Sequence, residues 1–131
     1  MVRVLIVDDD TDTRDVLRLI VEDAGYDAVT EATDGLETLA ALRAGDVPEV
    51  VLLDLDLPRL DGLGVLNAVA ADPTLAARYA FILLTALHQS RYQAATEICA
   101  RLSVPLVLKP FNVDTLLDAV ATAARRLSAV K

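Results

Sequence analysis

Short apolar runs alternate with longer stretches of helical periodicity along the whole chain. The first run, Val2-Arg3-Val4-Leu5-Ile6-Val7, predicts a strand. Residues 11–24 follow, with Val16, Leu17, Leu19, Ile20 and Val21 grouped on one side of a helix that Gly25 stops. Residues 27–31 predict a second strand, and residues 34–44 a helix ending at Gly45. Residues 49–53 predict a third strand, and residues 62–71 a helix closed by Asp72-Pro73. Residues 80–84 and 106–108 predict two more strands, with a helix over 90–101 between them. Residues 113–127 form a last helix, in which Leu116, Leu117, Val120, Ala124 and Leu127 are spaced to face a core. Unbroken apolar runs such as Val50-Val51-Leu52-Leu53 mark strands buried on both faces. Five strands and five helices in alternation, with short connections, predict an α/β fold with one doubly wound parallel sheet and right-handed crossovers. No linker, repeat or low-complexity stretch interrupts the pattern, so residues 1–131 are read as one domain.

Composition narrows the picture. A chain of 131 residues suits a single core, and 54% apolar residues with only 4% aromatics make that core aliphatic. A net charge of −8 argues against a nucleic-acid surface and against docking on anionic lipid. The same charge fits cation binding if the acids cluster. The single cysteine, Cys99, forms no internal disulfide and suits a reducing cytoplasm. Met1 leads straight into the first strand, so no secretory leader is expected, and no apolar run is long enough to span a bilayer.

The acids do cluster, at the ends of predicted strands. Asp54 stands where the third strand leaves the core, and ligands of open parallel sheets bind outside the carboxyl ends of strands. A carboxylate there can act as a nucleophile toward a phosphoryl group. The first strand ends in Asp8-Asp9-Asp10. Such a triplet reads equally as a solvated turn, with Asp10 or Thr11 capping the next helix. Asp10 is assigned to that capping role. Asp8 and Asp9, nearest the strand end, are assigned with Asp54 to a hard cation such as Mg²⁺, which offsets crowded carboxylates. Thr85 ends the fourth strand and offers a hydroxyl to a phosphoryl oxygen; Lys109 ends the fifth and offers an ion-pair partner for Asp54 or an arriving phosphate.

Taken together, these residues resemble the receiver domain of two-component response regulators. The resemblance rests on Val4-Leu5-Ile6-Val7-Asp8-Asp9-Asp10, on Leu52-Leu53-Asp54 with Pro58, Asp61 and Gly62, on Leu83-Leu84-Thr85-Ala86, and on Leu108-Lys109-Pro110-Phe111. It implies a flavodoxin-like sheet in the order 2-1-3-4-5. It also implies that Asp54 accepts a phosphoryl group from a histidine kinase or phosphotransfer protein. Mg²⁺ is then held by Asp8, Asp9, Asp54 and the backbone carbonyl of Asp56, while Thr85 and Lys109 meet the phosphoryl oxygens. A cis Lys109–Pro110 peptide is implied as well. The reading is a cytoplasmic phosphorelay switch with self-phosphorylation and autodephosphorylation only, not an enzyme with a separate substrate. It acts through an output protein, with a homodimer open and no nucleic acid bound by these residues.

The chain also departs from that pattern. Leu106 stands three residues before Lys109, where an aromatic is usual, and Ser103-Val104-Pro105 replaces a Gly-Ala pair. The stretch from Thr85 to Lys109 reads about two residues longer than usual, so the output and dimer face is expected to be atypical. Asp56 and Leu87 are expected to tune the acyl-phosphate lifetime, and His88 to be a solvated loop residue. Two rival readings stand beside the switch. One is a receiver-like interaction module independent of phosphorylation. The other is a haloacid-dehalogenase-type phosphohydrolase, suggested by Asp54-Leu55-Asp56 but opposed by the early position of the acid cluster.

Overall fold

The fold is described from a computed structural model, over residues 2–86 and 91–129. The elements are β1 (Arg3–Val7), α1 (Thr11–Asp23), β2 (Val29–Ala32), α2 (Gly35–Ala44), β3 (Glu49–Asp54), α3 (Gly62–Ala70), α4 (Pro73–Arg78), β4 (Tyr79–Ala86), α5 (Tyr92–Leu102), β5 (Leu106–Lys109) and α6 (Val113–Ala129). The five strands form one parallel sheet in the order β2-β1-β3-β4-β5. This is the predicted order, and it makes β1 and β3 neighbours, with Val7 beside Leu53. The carboxyl ends that carry Asp8 and Asp54 therefore lie side by side.

The sheet is buried on both faces, which explains its unbroken apolar strands. Leu5, Val7, Val51, Leu53, Phe81 and Leu83 point into one core, with residues of α2, α3 and α5. Val4, Ile6, Val50, Leu52, Ile82 and Leu84 point into the other, with Leu17 and Val21 of α1 and Leu116 and Val120 of α6. The two cores clamp the central strands, so their ends form a fixed platform. Tyr79, 1% exposed, adds a long-range tie: its hydroxyl donates to the Leu42 carbonyl at 2.8 Å, at the end of α2. Tyr79→Phe is expected to cost roughly 1–2 kcal/mol in a denaturant titration, because a buried hydrogen bond is lost without a change of shape.

The expectation of five helices is corrected to six among the described residues. Asp72-Pro73 ends one helix and starts another. Asp72 accepts from the backbone N–H groups of Thr74 and Leu75 at 3.1 and 3.4 Å, and Pro73 occupies the first turn of α4. Proline lacks the N–H that a first-turn residue leaves unused, so it is tolerated there. Leu75, 2% exposed, anchors this short helix. The second strand sits two residues later than predicted at its start, and β4 is longer, with Thr85 inside it. Ser103, at the end of α5, takes the left-handed conformation (φ 57°). Glycine adopts that conformation most readily, yet here a serine stands in it.

Candidate functional site

The site is built at the carboxyl ends of β1, β3, β4 and β5. Each supplies a residue just where its strand leaves the core. Asp8 and Asp54 are 2% and 5% exposed, whereas Asp9 faces solvent. One Asp8 oxygen accepts from the Asp10 N–H at 2.9 Å, which turns the chain into α1. Asp10 is the N-cap predicted for it: its carboxylate accepts from the Thr13 N–H at 3.1 Å and from the Thr13 hydroxyl at 2.5 Å. The Thr13 hydroxyl contact, with the Thr13 backbone N–H, holds Asp10 below the ordinary carboxylate range.

Lys109 joins the two buried acids. Its ammonium lies 3.0 Å from Asp54 Oδ1 and 3.2 Å from Asp8 Oδ2. Burial alone would lower the Lys109 pKa, but Asp54 and Asp8 outweigh it and hold the group above the usual lysine value. Asp54 is shifted upward as well, which for a carboxyl favours the neutral form. Burial pushes it up to about 6, against the opposing pull of Lys109, and the charges of Asp8 and Asp56 add to the rise. The Lys109–Pro110 peptide is cis. Thr85 is fully buried, and its hydroxyl donates to the Ala86 carbonyl at 3.3 Å rather than to Asp54.

These groups fit a hard divalent cation. Among the described residues, Asp8, Asp9 and Asp54 are a group whose carboxylate oxygens all lie within 4.8 Å of one another. Three carboxylates face one ammonium, so the cluster carries excess negative charge, and its donors are the oxygens that Mg²⁺ prefers. The Asp56 backbone carbonyl accepts no hydrogen bond among the described residues. The Asp56 side chain, by contrast, is exposed. The acids line an open cleft of about 450 Å³ with Thr13, Leu57, Pro58, Ala86 and Lys109.

The loop after β3 is held from several sides. The Gly62 N–H donates to the Leu55 carbonyl at 2.9 Å, and Asp61 caps α3 by accepting from the Gly64 N–H at 2.9 Å. A Cβ on Gly62 would lie 2.7 Å from the Asp54 carbonyl oxygen, so only glycine lets α3 start this close to the strand end. Arg59 reaches back to Asp34 at 3.3 Å.

Sequence reasoning missed the arginines. Arg14 donates to the Asp8 carbonyl at 2.7 Å and to Glu31 at 2.8 Å, while Arg18 meets the other Glu31 oxygen at 2.7 Å. The Arg18 contact holds Glu31 below its ordinary pKa, with burial opposing and Arg14 adding to the fall. Arg91 bonds to both Asp61 and Asp56. Nothing local in the sequence marks either Arg14 or Arg91 for these contacts. Leu87 and His88, which the sequence reading singled out, lie outside the described residues.

Comparison with known proteins bears on the family and the fold. The family profile of the response regulator receiver domain matches residues 4–121. Chemotaxis protein CheY of Listeria monocytogenes is 32% identical over 127 residues, covering 95% of this chain and 100% of the relative. The DNA-binding dual master transcriptional regulator RpaA of Synechocystis is 35% identical over 126 residues, covering 96% of this chain but only 50% of the relative. Among solved structures, the receiver domain of Francisella response regulator 1452 superposes with a TM-score of 0.81 at 27% identity, over 96% of this chain and 98% of that one.

Proposed function

The chain belongs to the response regulator receiver domain family, and from that premise we propose that it is a phosphoacceptor switch in which Asp54 takes a phosphoryl group from a phosphohistidine donor. The observation that carries this reading is the placement of Asp54, a buried carboxylate 3.0 Å from Lys109 and grouped with Asp8 and Asp9.

Each residue has a distinct task. Asp54 supplies the attacking oxygen. Asp8, Asp9, Asp54 and the Asp56 carbonyl would hold Mg²⁺, which when bound neutralises phosphoryl oxygens and aligns the donor. Lys109 stands ready to exchange part of its contact with Asp54 for a phosphoryl oxygen. Thr85 now spends its hydroxyl on a neighbouring carbonyl. A phosphoryl oxygen at Asp54 is a better acceptor, and it exists only in the phosphorylated state. A contact made in one state alone can shift a two-state equilibrium. That shift would be read by an output protein in the cytoplasm, without a second substrate. The receiver-domain match over residues 4–121 speaks for the switch over the phosphohydrolase reading. The atypical output face, with Leu106 and Ser103-Val104-Pro105, is what an interaction module that ignores phosphate has in its favour, but the acceptor, lysine and acid positions, all filled, favour the switch.

Incubation with phosphoramidate and Mg²⁺ tests the proposal. Intact mass should rise by one phosphoryl group, Asp54→Asn should show no increment, and chelation of Mg²⁺ should slow uptake by at least two orders of magnitude (roughly, for loss of an electrostatic clamp). Equal uptake by Asp54→Asn would overturn it.

A further inference from the structure

We propose that Arg91 is the second cation of this site, a positioning residue that cancels the Asp56 carboxylate at the rim and so admits an anionic phosphodonor to Asp54. The inference rests on Asp54 being the phosphoacceptor.

Charge at the cleft sets the problem. Asp8, Asp9, Asp10, Asp54 and Asp56 line it, with Lys109 as the one cationic lining residue among those described. Lys109 is already committed to Asp8 and Asp54 in the interior. Asp56 sits two residues beyond Asp54, its side chain 68% exposed at the entrance. Asp56 is exposed at the cleft beside Asp9 and Asp10, so an arriving phosphodonor meets negative charge there. Uncompensated, it would repel the donor.

Arg91 supplies the compensation. It stands in the turn before α5 and reaches across to the loop after β3. One guanidinium nitrogen bonds to Asp61 Oδ2; the other lies 3.4 Å from Asp56 Oδ1. The two contacts differ in firmness. Asp61 is fixed, since its other oxygen caps α3 through the Gly64 N–H at 2.9 Å, and it is 23% exposed. The Asp56 contact is longer and more exposed. The planar fork of a guanidinium suits this arrangement, anchored on one carboxylate and leaning on another. Arg91 thus holds a positive charge at the rim without filling the cleft, and it does not line the cleft itself.

Donors of different charge test this. In each reaction an Asp54 oxygen bonds to phosphorus as a bond to the leaving group breaks. Acetyl phosphate releases acetate; phosphoramidate, its nitrogen already protonated, releases ammonia. Acetyl phosphate is the more negative donor. Arg91→Ala should slow its reaction about fivefold at low salt, the effect of one unscreened surface charge a few ångströms away. The loss should be smaller with phosphoramidate and should shrink as salt is added. Arg91→Lys, which keeps the charge, should stay within about twofold of wild type, a tolerance set by the same estimate. Adding Asp56→Asn to Arg91→Ala should restore the rate, because the carboxylate to be cancelled is gone. In the metal-free protein, melting of Arg91→Ala, Asp61→Asn and their combination should show coupling, since the anchor stands without the metal. An Arg91→Ala protein that reacts like wild type, slows equally with both donors, or is not rescued by Asp56→Asn would overturn the proposal, as would absent coupling to Asp61. A wild-type protein that takes up no phosphoryl group from either donor would instead overturn the reading of Asp54, and this inference with it.

Discussion

Asp54→Asn is expected to melt higher than wild type at neutral pH when no divalent metal is present, by an amount that vanishes in acid. Burial lifts the Asp54 carboxyl to about 6, with Asp8 and Asp56 adding to the rise and Lys109 only partly offsetting it. The unfolded chain keeps an ordinary aspartate. The folded state therefore prefers the neutral form. Its contribution to stability is complete below the unfolded pKa and is lost as pH rises through about 6. Above that pH the wild-type protein carries the cost of a buried, crowded charge, on the order of 3 kcal/mol. Asparagine is neutral at every pH and its carbonyl can still accept from Lys109. The difference in melting temperature should thus be near zero around pH 4, grow through about 6 and then level off, reaching on the order of 10 °C. Adding Mg²⁺ should close the gap by stabilising the wild type, because a ligand bound only by the folded state raises stability. Glu31 and Asp10, whose pKa values are lowered, bring the opposite slope to both proteins and cancel in the difference. A difference that stays flat from pH 4 to pH 8 would contradict the assignment of charge strain to Asp54.

Gly35→Ala should be the most damaging single methyl group in the chain. Gly35 opens α2 directly behind the loop that follows β3. A Cβ there would lie 2.0 Å from the Leu60 carbonyl oxygen, 2.7 Å from its carbonyl carbon and 2.8 Å from its Cβ. Two of these atoms are backbone, so no rotamer change relieves the clash. The loop must move, and with it Asp56, Arg59 and Asp61. The Arg59–Asp34 contact at 3.3 Å spans the same seam. We expect a loss of roughly 3 kcal/mol in denaturant titration, at the upper end for overpacking, together with weaker Mg²⁺ binding by calorimetry. Gly25→Ala is the control. Gly25 has φ +105° with nothing within 4 Å of a built Cβ. It should cost about 1 kcal/mol from backbone strain alone, and leave Mg²⁺ binding unchanged. Equal behaviour of the two variants would show that the seam at Leu60 gives way easily.

Much of this architecture could be read from the sequence because it depends on short-range pattern. Doubly buried strands leave unbroken aliphatic runs, so β1, β3 and β4 were visible, and the acids at their ends followed. The position of Asp10 just before a helical period marks it as a cap, and Thr13 holds it there. Other features escaped for physical reasons. Asp72-Pro73 reads as a terminator in one direction and an initiator in the other, and burial of Leu75 decides for the second. Short edge strands carry a weak signal, and β2 shifted accordingly. Arg14 and Arg91 act on acids 17 to 35 residues away, a distance at which periodicity says nothing. The local orientation of Thr85 toward Ala86 was equally invisible, since a hydroxyl's partner depends on side-chain rotation.

The central claim is that Asp54 itself carries the phosphoryl group. Reductive trapping tests it most directly. The protein is treated with phosphoramidate and Mg²⁺, then with borohydride, which converts an aspartyl phosphate to homoserine, and the peptides are sequenced by mass spectrometry. The account predicts that the converted residue is at position 54, in wild type and in Arg91→Lys, with none when Mg²⁺ is withheld. Conversion at Asp8, Asp9 or Asp56, or full uptake of phosphoryl with position 54 unchanged, would contradict it.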